Sequence, residues 1–275
     1  MRPAIPLLLL LLSACSFGEK ARYSETIEEA PKGTFVEYEI KALTERAGPC
    51  KEDSTQARCI DFRIDYPVIT AGASAAVLET MNQSIQRSIF QYAFIDEQPD
   101  DFQSLINEIS EEYESIANEF PDYESSWLLE VNSDIIFQDS AFISVASTIY
   151  SFTGGAHPNS SQVYRSYNLN TGEPIGLEDI LEAGYELDLN EAAEVEFRMA
   201  KQIPPSRGLN EEGYYFEDNK FKLNNNFAII EKSLLFYFNP YEIAPYALGA
   251  TELELKLTDY VKLIKDGSVI EDLKN

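Results

Sequence analysis

Residues 127–169 read WLLEVNSDIIFQDSAFISVASTIYSFTGGAHPNSSQVYRSYNL and contain three predicted β-strands. The first two, at 127–137 and 141–152, are rich in β-branched and aromatic residues, a composition typical of strands. The loop Thr153–Asn159 follows with two glycines and a proline, and a third strand returns at 163–169. Consecutive strands joined by short turns predict a sheet in this part of the chain.

Strand and helix signals are segregated along the rest of the sequence. Further strands are predicted at 34–40, 60–66, 227–230, 234–238 and 253–257. Amphipathic helices are predicted at 73–94 and 102–120, and a helix broken near Gly184 at 177–201. Because the two kinds of element do not alternate strictly, the pattern favours an α+β fold over a doubly wound one. We predict mixed or antiparallel sheets with helices packed on one face, arranged as two small subdomains.

The N-terminus has the pattern of a secretory signal peptide. Arg2 precedes a run of leucines that ends in Leu-Ser-Ala-Cys at Cys15. This ending resembles the lipobox of bacterial lipoproteins, in which the chain is cut before the cysteine and the cysteine is lipidated. We expect 1–14 to be a lipoprotein signal peptide and 15–33 a polar tether, with Cys15 as the membrane anchor. The alternative is an ordinary cleaved signal that happens to be followed by cysteine.

Two cysteines remain when Cys15 is set aside. Cys50 and Cys59 flank a polar, turn-like segment, and an export compartment tends to oxidise such a pair. A bridge would close a loop of about ten residues and contribute roughly 2–3 kcal/mol by loop entropy. The pair offers too few ligands for a metal site. The sequence therefore predicts a disulfide.

The charge of the chain is strongly acidic. Its formal net charge is −26 at pH 7, and no lysine or arginine occurs from Ser88 to Tyr164. Nucleic-acid binding needs clustered basic residues, so we predict no nucleic-acid partner. A negative field of this kind would steer a basic protein toward the molecule. The alternative is that the acidic residues only keep the surface solvated.

The loop Thr153–Asn159 is the first candidate binding surface. Gly154 and Gly155 permit positive φ or a close approach of the backbone to a ligand. His157 is the single histidine of the chain, which is too few for a zinc site of the usual composition. No nucleophile can be assigned to it either, so we predict no catalytic residue, no metal and no cofactor. A purely structural turn is the alternative.

The segment Asn239–Tyr246 is the second candidate surface. Pro240 and Pro245 stiffen it, and Tyr241 and Tyr246 offer large contact areas at low entropic cost, which suits recognition. A rigid loop packed on a sheet is the alternative. The predicted binding loops together contain Thr153, Gly154, Gly155, His157, Pro240, Tyr241 and Tyr246.

These segments also carry a family resemblance. Residues 150–159, YSFTGGAHPN, resemble the Tyr-x-x-Thr-Gly-Gly-Ala-His signature of the RsiV/PdaC-type extracytoplasmic domain, and residues 235–249, LFYFNPYEIAPYALG, resemble its C-terminal segment. Residues 64–69, IDYPVI, are similar to the companion domain that usually precedes it. Pro158 departs from the pattern, since glycine is common there. The resemblance spans about 34–265.

The resemblance implies recognition at the cell envelope rather than catalysis. An anti-sigma-factor member of the family uses this region as an extracellular sensor that binds lysozyme, and another member joins it to a separate peptidoglycan deacetylase domain. We accordingly expect an N-terminal α+β subdomain at 34–130 and a C-terminal RsiV-like domain at 131–275. The expected function is that of a lipid-anchored envelope binding protein, facing the periplasm from an outer membrane where the cell has one. A peptidoglycan-binding or other glycan-binding module is the alternative, and an envelope-modifying enzyme is less favoured.

Overall fold

The computed structural model describes residues 35–48, 50, 58–92, 99–120 and 122–274. The predictions for the signal peptide, the tether and Cys15 lie outside the described residues. The described residues all belong to one compact unit.

The larger of two sheets has five strands in the order β1-β2-β3-β4-β5. The strands are β1 (Glu37–Ala47), β2 (Ile60–Ala71), β3 (Trp127–Gln138), β4 (Phe142–Phe152) and β5 (Asn159–Asn168). Neighbours pair antiparallel except β2 and β3, which are parallel. A parallel pair requires a crossover connection. The helices α1 (Ala75–Phe90) and α2 (Phe102–Glu119) lie within it.

Both crossover helices begin at side-chain caps, as exposed helix N-termini require. Ser74 accepts a hydrogen bond from the Val77 amide at 3.4 Å, and Asp101 accepts one from the Ser104 amide at 2.8 Å. The Ser104 amide bond lowers the pKa of the Asp101 carboxyl because it stabilises the charged form. Helix α1 is shorter than predicted and ends at Phe90 rather than at residue 94.

The smaller sheet has three antiparallel strands. These are β6 (Phe227–Ile230), β7 (Ser233–Phe238) and β8 (Thr251–Lys256). Two helices, α3 (Leu177–Ile180) and α4 (Tyr185–Lys201), precede it and are separated at Gly184, whose φ is +90°. The predicted break is thereby confirmed. Helix α4 buries one stripe, Leu189, Ala193 and Phe197, in the core beside this sheet.

The strands β4 and β5 are covered on both faces. Ile143, Val145 and Tyr167 pack with residues of α1 in one hydrophobic cluster. Side chains on the opposite face of these strands, including that of Tyr164, pack with Ala228 of β6. The crossover helices and the smaller sheet therefore cover opposite faces of the larger sheet. The predicted α+β class with mixed and antiparallel sheets is confirmed.

The boundary predicted between 34–130 and 131–275 falls inside β3. The five-stranded sheet takes strands from both sides of that boundary, because the parallel pairing places β3 between β2 and β4. The strand β1 forms at the sheet edge, where Tyr38 and Ile40 are 38% and 46% exposed.

The predicted disulfide is confirmed. Cys50 and Cys59 are bonded, with their Cα atoms 5.4 Å apart, and both residues are buried. The bond ties the end of β1 to the start of β2 and so closes the polar connection between two paired strands.

Candidate functional site

The two predicted binding loops meet in a cluster of three aromatic rings. The His157 ring stacks on Tyr246 at 4.7 Å between centroids and 25° between planes. It also lies nearly parallel to Tyr241, at 6.3 Å and 17°, and the two tyrosine rings are 5.3 Å apart. All three residues are exposed. We call His157, Tyr241 and Tyr246 the ring cluster.

Hydrogen bonds define the tautomer of the neutral imidazole. His157 Nδ1 lies 2.8 Å from the carbonyl oxygen of Pro158, and its Nε2 lies 3.1 Å from the hydroxyl of Tyr241. A carbonyl oxygen can only accept, so Nδ1 carries the proton and Nε2 accepts from the Tyr241 hydroxyl. The bond fixes the Tyr241 hydroxyl on the imidazole edge, while Tyr246 stacks on a face of the imidazole.

The loop that carries His157 is anchored on the start of β3. Tyr123 donates a hydrogen bond from its hydroxyl to the Thr153 carbonyl at 3.2 Å, and accepts one from the Trp127 indole at 2.6 Å. Gly154 has φ of +82°, and a Cβ atom there would collide with the Tyr123 hydroxyl and lie 2.7 Å from Ser125 Oγ. The backbone approaches these side chains closely because residue 154 has none.

The loop that carries the two tyrosines is held by side-chain hydrogen bonds. The Asn239 side chain makes two hydrogen bonds with the backbone of Gln162 on β5. Its Oδ1 accepts from the Gln162 amide at 2.7 Å, and its Nδ2 donates to the Gln162 carbonyl at 3.1 Å. Glu242 accepts from the Asn239 amide at 2.8 Å and from Asn224 at 2.7 Å. Tyr241 has φ of +69°, a strained conformation for a bulky residue that the surrounding bonds must hold.

The predicted site residues thus divide into two groups. His157, Tyr241 and Tyr246 come together in the ring cluster, whereas Thr153 and Gly154 form the base of the first loop. Gly155 is exposed, and a Cβ atom there would meet nothing within 4 Å. Pro240 precedes Tyr241 but is in none of the ring contacts of the cluster. Sequence reasoning missed Tyr123, and it included Asn239 and Glu242 in the second candidate surface without assigning them an anchoring role.

Glu242 of the second loop lies near two partly buried polar side chains, Tyr92 and Arg165. The pKa of Tyr92 is raised, chiefly because burial disfavours the charged phenolate. The charge of Arg165 opposes this rise, and the charge of Glu242 adds to it. Arg165 donates to the carbonyls of Tyr164 and Asn225, both at 2.8 Å. These contacts link Glu242, which anchors the Tyr241 loop, electrostatically to the edge of the larger sheet.

The described residues define the chemistry that is available. No group of three or more His, Cys, Asp and Glu side chains within them is placed to hold a metal ion. Among the helices of these same residues, none is long and apolar enough to span a bilayer. The ring cluster itself offers flat π faces and an imidazole edge, which suit stacking on a guanidinium or ammonium group, or on the apolar face of a sugar.

Two family models match consecutive segments of the chain. The model described as deacetylase PdaC matches residues 54–160, and the model of a protein of unknown function, DUF3298, matches residues 178–258. The first segment includes the His157 loop and the second the Tyr241 loop. The ring cluster is therefore formed where the two matched segments meet.

The curated relatives are distant in sequence. The peptidoglycan-N-acetylmuramic acid deacetylase PdaC of Bacillus subtilis is 22% identical over 220 residues, which cover 79% of this chain and 42% of the relative. An esterase of Mycobacterium tuberculosis is 30% identical over 118 residues, covering 41% of this chain and 48% of the relative. The chain thus spans less than half the length of each.

Solved structures share the fold. A DUF3298 family member from Bacteroides fragilis superposes with a TM-score of 0.70 at 19% identity, covering 88% of this chain and 99% of the other. A DUF3298 family protein from Pseudomonas aeruginosa gives 0.61 at 17% identity, covering 84% and 95%. The chain has a domain of the PdaC/DUF3298 type, which confirms the resemblance seen in its sequence.

Proposed function

We propose that this protein is an extracytoplasmic binding protein of the cell envelope that recognises a basic protein through the ring cluster. The observation that carries the proposal is the meeting of His157, Tyr241 and Tyr246, from loops far apart in the sequence, in one exposed stack. Exposed tyrosines held by a rigid frame are typical of binding hot spots. The hydrogen bonds of Tyr123, Asn239 and Glu242 supply that frame.

Charge favours a basic partner. The chain has a formal net charge of −26, and its long stretch without lysine or arginine includes the His157 loop. Arginine and lysine side chains of a partner would be attracted by this field and could stack on the three rings. Lysozyme is the partner that the resemblance to the RsiV/PdaC-type domain implies, and it is basic.

The disulfide supports a location of the protein outside the cytoplasm. A disulfide between Cys50 and Cys59 suits an oxidising compartment outside the cytoplasm. In this proposal Cys15 carries the lipid, residues 15–33 act as a tether, and the domain faces the periplasm where an outer membrane is present. Mass spectrometry of the membrane-extracted protein should show the acyl mass on an N-terminal Cys15 and lose it in Cys15→Ser.

The experiment that tests partner recognition is a calorimetric titration with a c-type lysozyme at low and at high salt. The protein carries Cys15→Ser so that it can be handled without detergent. We expect binding at low salt that weakens as salt rises, because salt screens exposed charges. The proposal fails if no heat of binding is seen at either salt concentration.

Glycan binding is the second candidate, and the exposed ring faces favour it. Tyrosine faces stack on the apolar side of sugar rings, as in many carbohydrate sites. Binding to purified peptidoglycan sacculi would then depend little on salt. Tyr246→Ala would abolish it without changing the unfolding transition.

We propose no catalytic activity for this chain. The matched relatives include a deacetylase and an esterase, but this chain aligns with less than half of each. The measurement is turnover of sacculi and of a chromogenic aryl ester by the purified protein. We expect none above a His157→Ala variant, and turnover that disappears in that variant would establish an enzyme.

A further inference from the structure

A cavity of about 300 Å³ lies between α2 and the adjoining ends of β2, β3 and β4. Its walls are largely apolar and include Ile60, Ile109, Ile116, Trp127 and Leu129. This volume is at the lower end of the range of small-molecule sites and is about twice that of an engineered apolar cavity that binds benzene. It is therefore large enough for a short alkyl or single-ring group.

A serine with an unpaired hydroxyl lines the cavity. Ser151 lines it and is only 5% exposed, yet within the described part of the chain its hydroxyl makes no hydrogen bond. Other buried serines of β4 are paired, Ser147 with Ser133 and Ser144 with Ser166, both at 2.7 Å. Ser151 therefore has donor and acceptor capacity available for a bound molecule.

The charge at the cavity is negative. Among the described residues that line it, only Glu112 is charged, and it is exposed on α2. It lies three residues after Ile109 and four before Ile116, so all three lie on one face of the helix. The surrounding sequence from Ser88 to Tyr164 contains no lysine or arginine. The Glu112 carboxylate therefore favours a cation over an anion at the cavity, although Arg58 lies close enough to act on the neighbouring Tyr113.

We propose that this cavity is a binding site for a small apolar amine. The alkyl or aryl body occupies the space between Ile60, Ile116 and Trp127, and the ammonium group is held by Glu112 and Ser151. The site is separate from the ring cluster and shares with its loops only Thr153, which also lines the cavity. Failure of lysozyme binding would therefore not affect this proposal.

The chain provides its own reporter, because Trp127 lines the cavity and is the single tryptophan of the sequence. Its fluorescence is followed while the full chain is titrated with hexylamine, hexanol or hexanoate, which share an apolar body and differ in charge. We expect a saturable change with hexylamine at a concentration about tenfold lower than with hexanol, and none with hexanoate. A change that is absent, or equal for the three compounds, would overturn the proposal.

Two substitutions on one helix separate site binding from general attraction to an acidic protein. Glu112→Gln should weaken hexylamine about tenfold and leave hexanol unchanged. Glu114→Gln is the matched control, since Glu114 is exposed on α2 and does not line the cavity. Equal effects of the two variants would contradict a built site.

A third substitution tests whether hexylamine needs the volume of the cavity. Ile116→Phe partly fills the cavity and should abolish the hexylamine response, while thermal unfolding shows whether the variant is folded. Ser151→Ala, which removes only the hydroxyl, should weaken hexylamine several-fold and provides an independent test if Ile116→Phe does not fold. Unchanged affinity in Ser151→Ala would remove the hydroxyl from the proposal.

Discussion

At the scale of single residues, two adjacent glycines in the His157 loop have different roles. Gly154 has positive φ and no space for a Cβ atom beside Tyr123 and Ser125, whereas Gly155 faces open space. The first glycine allows the loop to lie against the tyrosine that also binds the Trp127 indole. The loop is thus fixed at its base and accessible at its tip.

We predict that Gly154→Ala lowers the free energy of unfolding by about 1–3 kcal/mol, through backbone strain and displacement of Tyr123. Gly155→Ala should change it by less than about 0.5 kcal/mol, as at other unconstrained surface positions. Urea denaturation of the two variants measures the difference. Equal destabilisation would show that Tyr123 does not constrain the loop.

A buried phenol predicts a loss of stability at alkaline pH. Burial raises the pKa of Tyr167 from 10.0 to about 12. The unfolded state therefore loses this proton at a lower pH than the folded state. The stabilisation of the folded state by the neutral phenol is complete below pH 10 and is lost as the pH rises toward 12. For one group the loss is about 2–3 kcal/mol.

Tyr167→Phe should reduce the fall in unfolding free energy between pH 9 and about pH 12, although it also loses the 3.3 Å hydrogen bond to the Ser84 carbonyl at every pH. Denaturant unfolding at several pH values measures this fall. Tyr215→Phe, at an exposed tyrosine, is the control. Parallel pH profiles for Tyr167→Phe and the unchanged protein would contradict the account.

At the scale of elements, side-chain amides join the edge of the larger sheet to the smaller one. The Asn226 side chain accepts from the Tyr164 amide at 2.7 Å, and donates to the carbonyls of Gln162 and Tyr237 at 2.8 and 2.9 Å. Asn239 bonds Gln162 in the same way beside the Tyr241 loop. Backbone groups of the edge strand β5 are thereby paired instead of being left open.

We predict that Asn226→Ala lowers the free energy of unfolding by about 2–4 kcal/mol, because it leaves buried backbone groups without partners. Asn132→Ala is the matched control, since the exposed Asn132 makes only a long bond of 3.4 Å to Glu130. Its effect should be below about 0.5 kcal/mol. Similar costs at both positions in chemical denaturation would contradict this role for Asn226.

Local pattern predicted many of the elements, because apolar periodicity reports which face a residue buries. The helix at 102–120 and the hairpin of β6 and β7 lie close to where they were expected. The strand β5 begins at Asn159, earlier than the predicted 163, since its first residues are polar and show no strand signal. The parallel pairing of β2 with β3 is a tertiary contact, which no local pattern encodes.

The candidate site was predictable only in part, for a similar reason. Glycines, prolines and tyrosines mark each loop separately, but the stacking of His157 on Tyr246 depends on how the two sheets pack. Tyr123 contacts the loop through the Thr153 backbone carbonyl, and a backbone contact leaves no residue pattern.

At the scale of the whole molecule, the disulfide stabilises the fold without forming part of the candidate site. We predict that Cys50→Ser with Cys59→Ser lowers the free energy of unfolding by about 2–3 kcal/mol. Lysozyme affinity should be unchanged at a temperature where the variant is folded, because the disulfide joins the end of β1 to the start of β2 and belongs to neither loop of the ring cluster. Denaturation and titration of the same preparation measure both quantities, and a loss of affinity in the folded variant would contradict their independence.

Charge and rings act together in the proposed recognition, and one comparison separates them. Tyr246→Ala removes the ring that stacks on His157 and leaves the net charge unaltered. Tyr38→Ala removes another exposed tyrosine, on the edge strand β1. Both variants are titrated with lysozyme at low salt beside the unchanged protein. The account predicts that Tyr246→Ala weakens binding at least about tenfold and that Tyr38→Ala does not. Equal affinities for all three proteins would contradict recognition through the ring cluster.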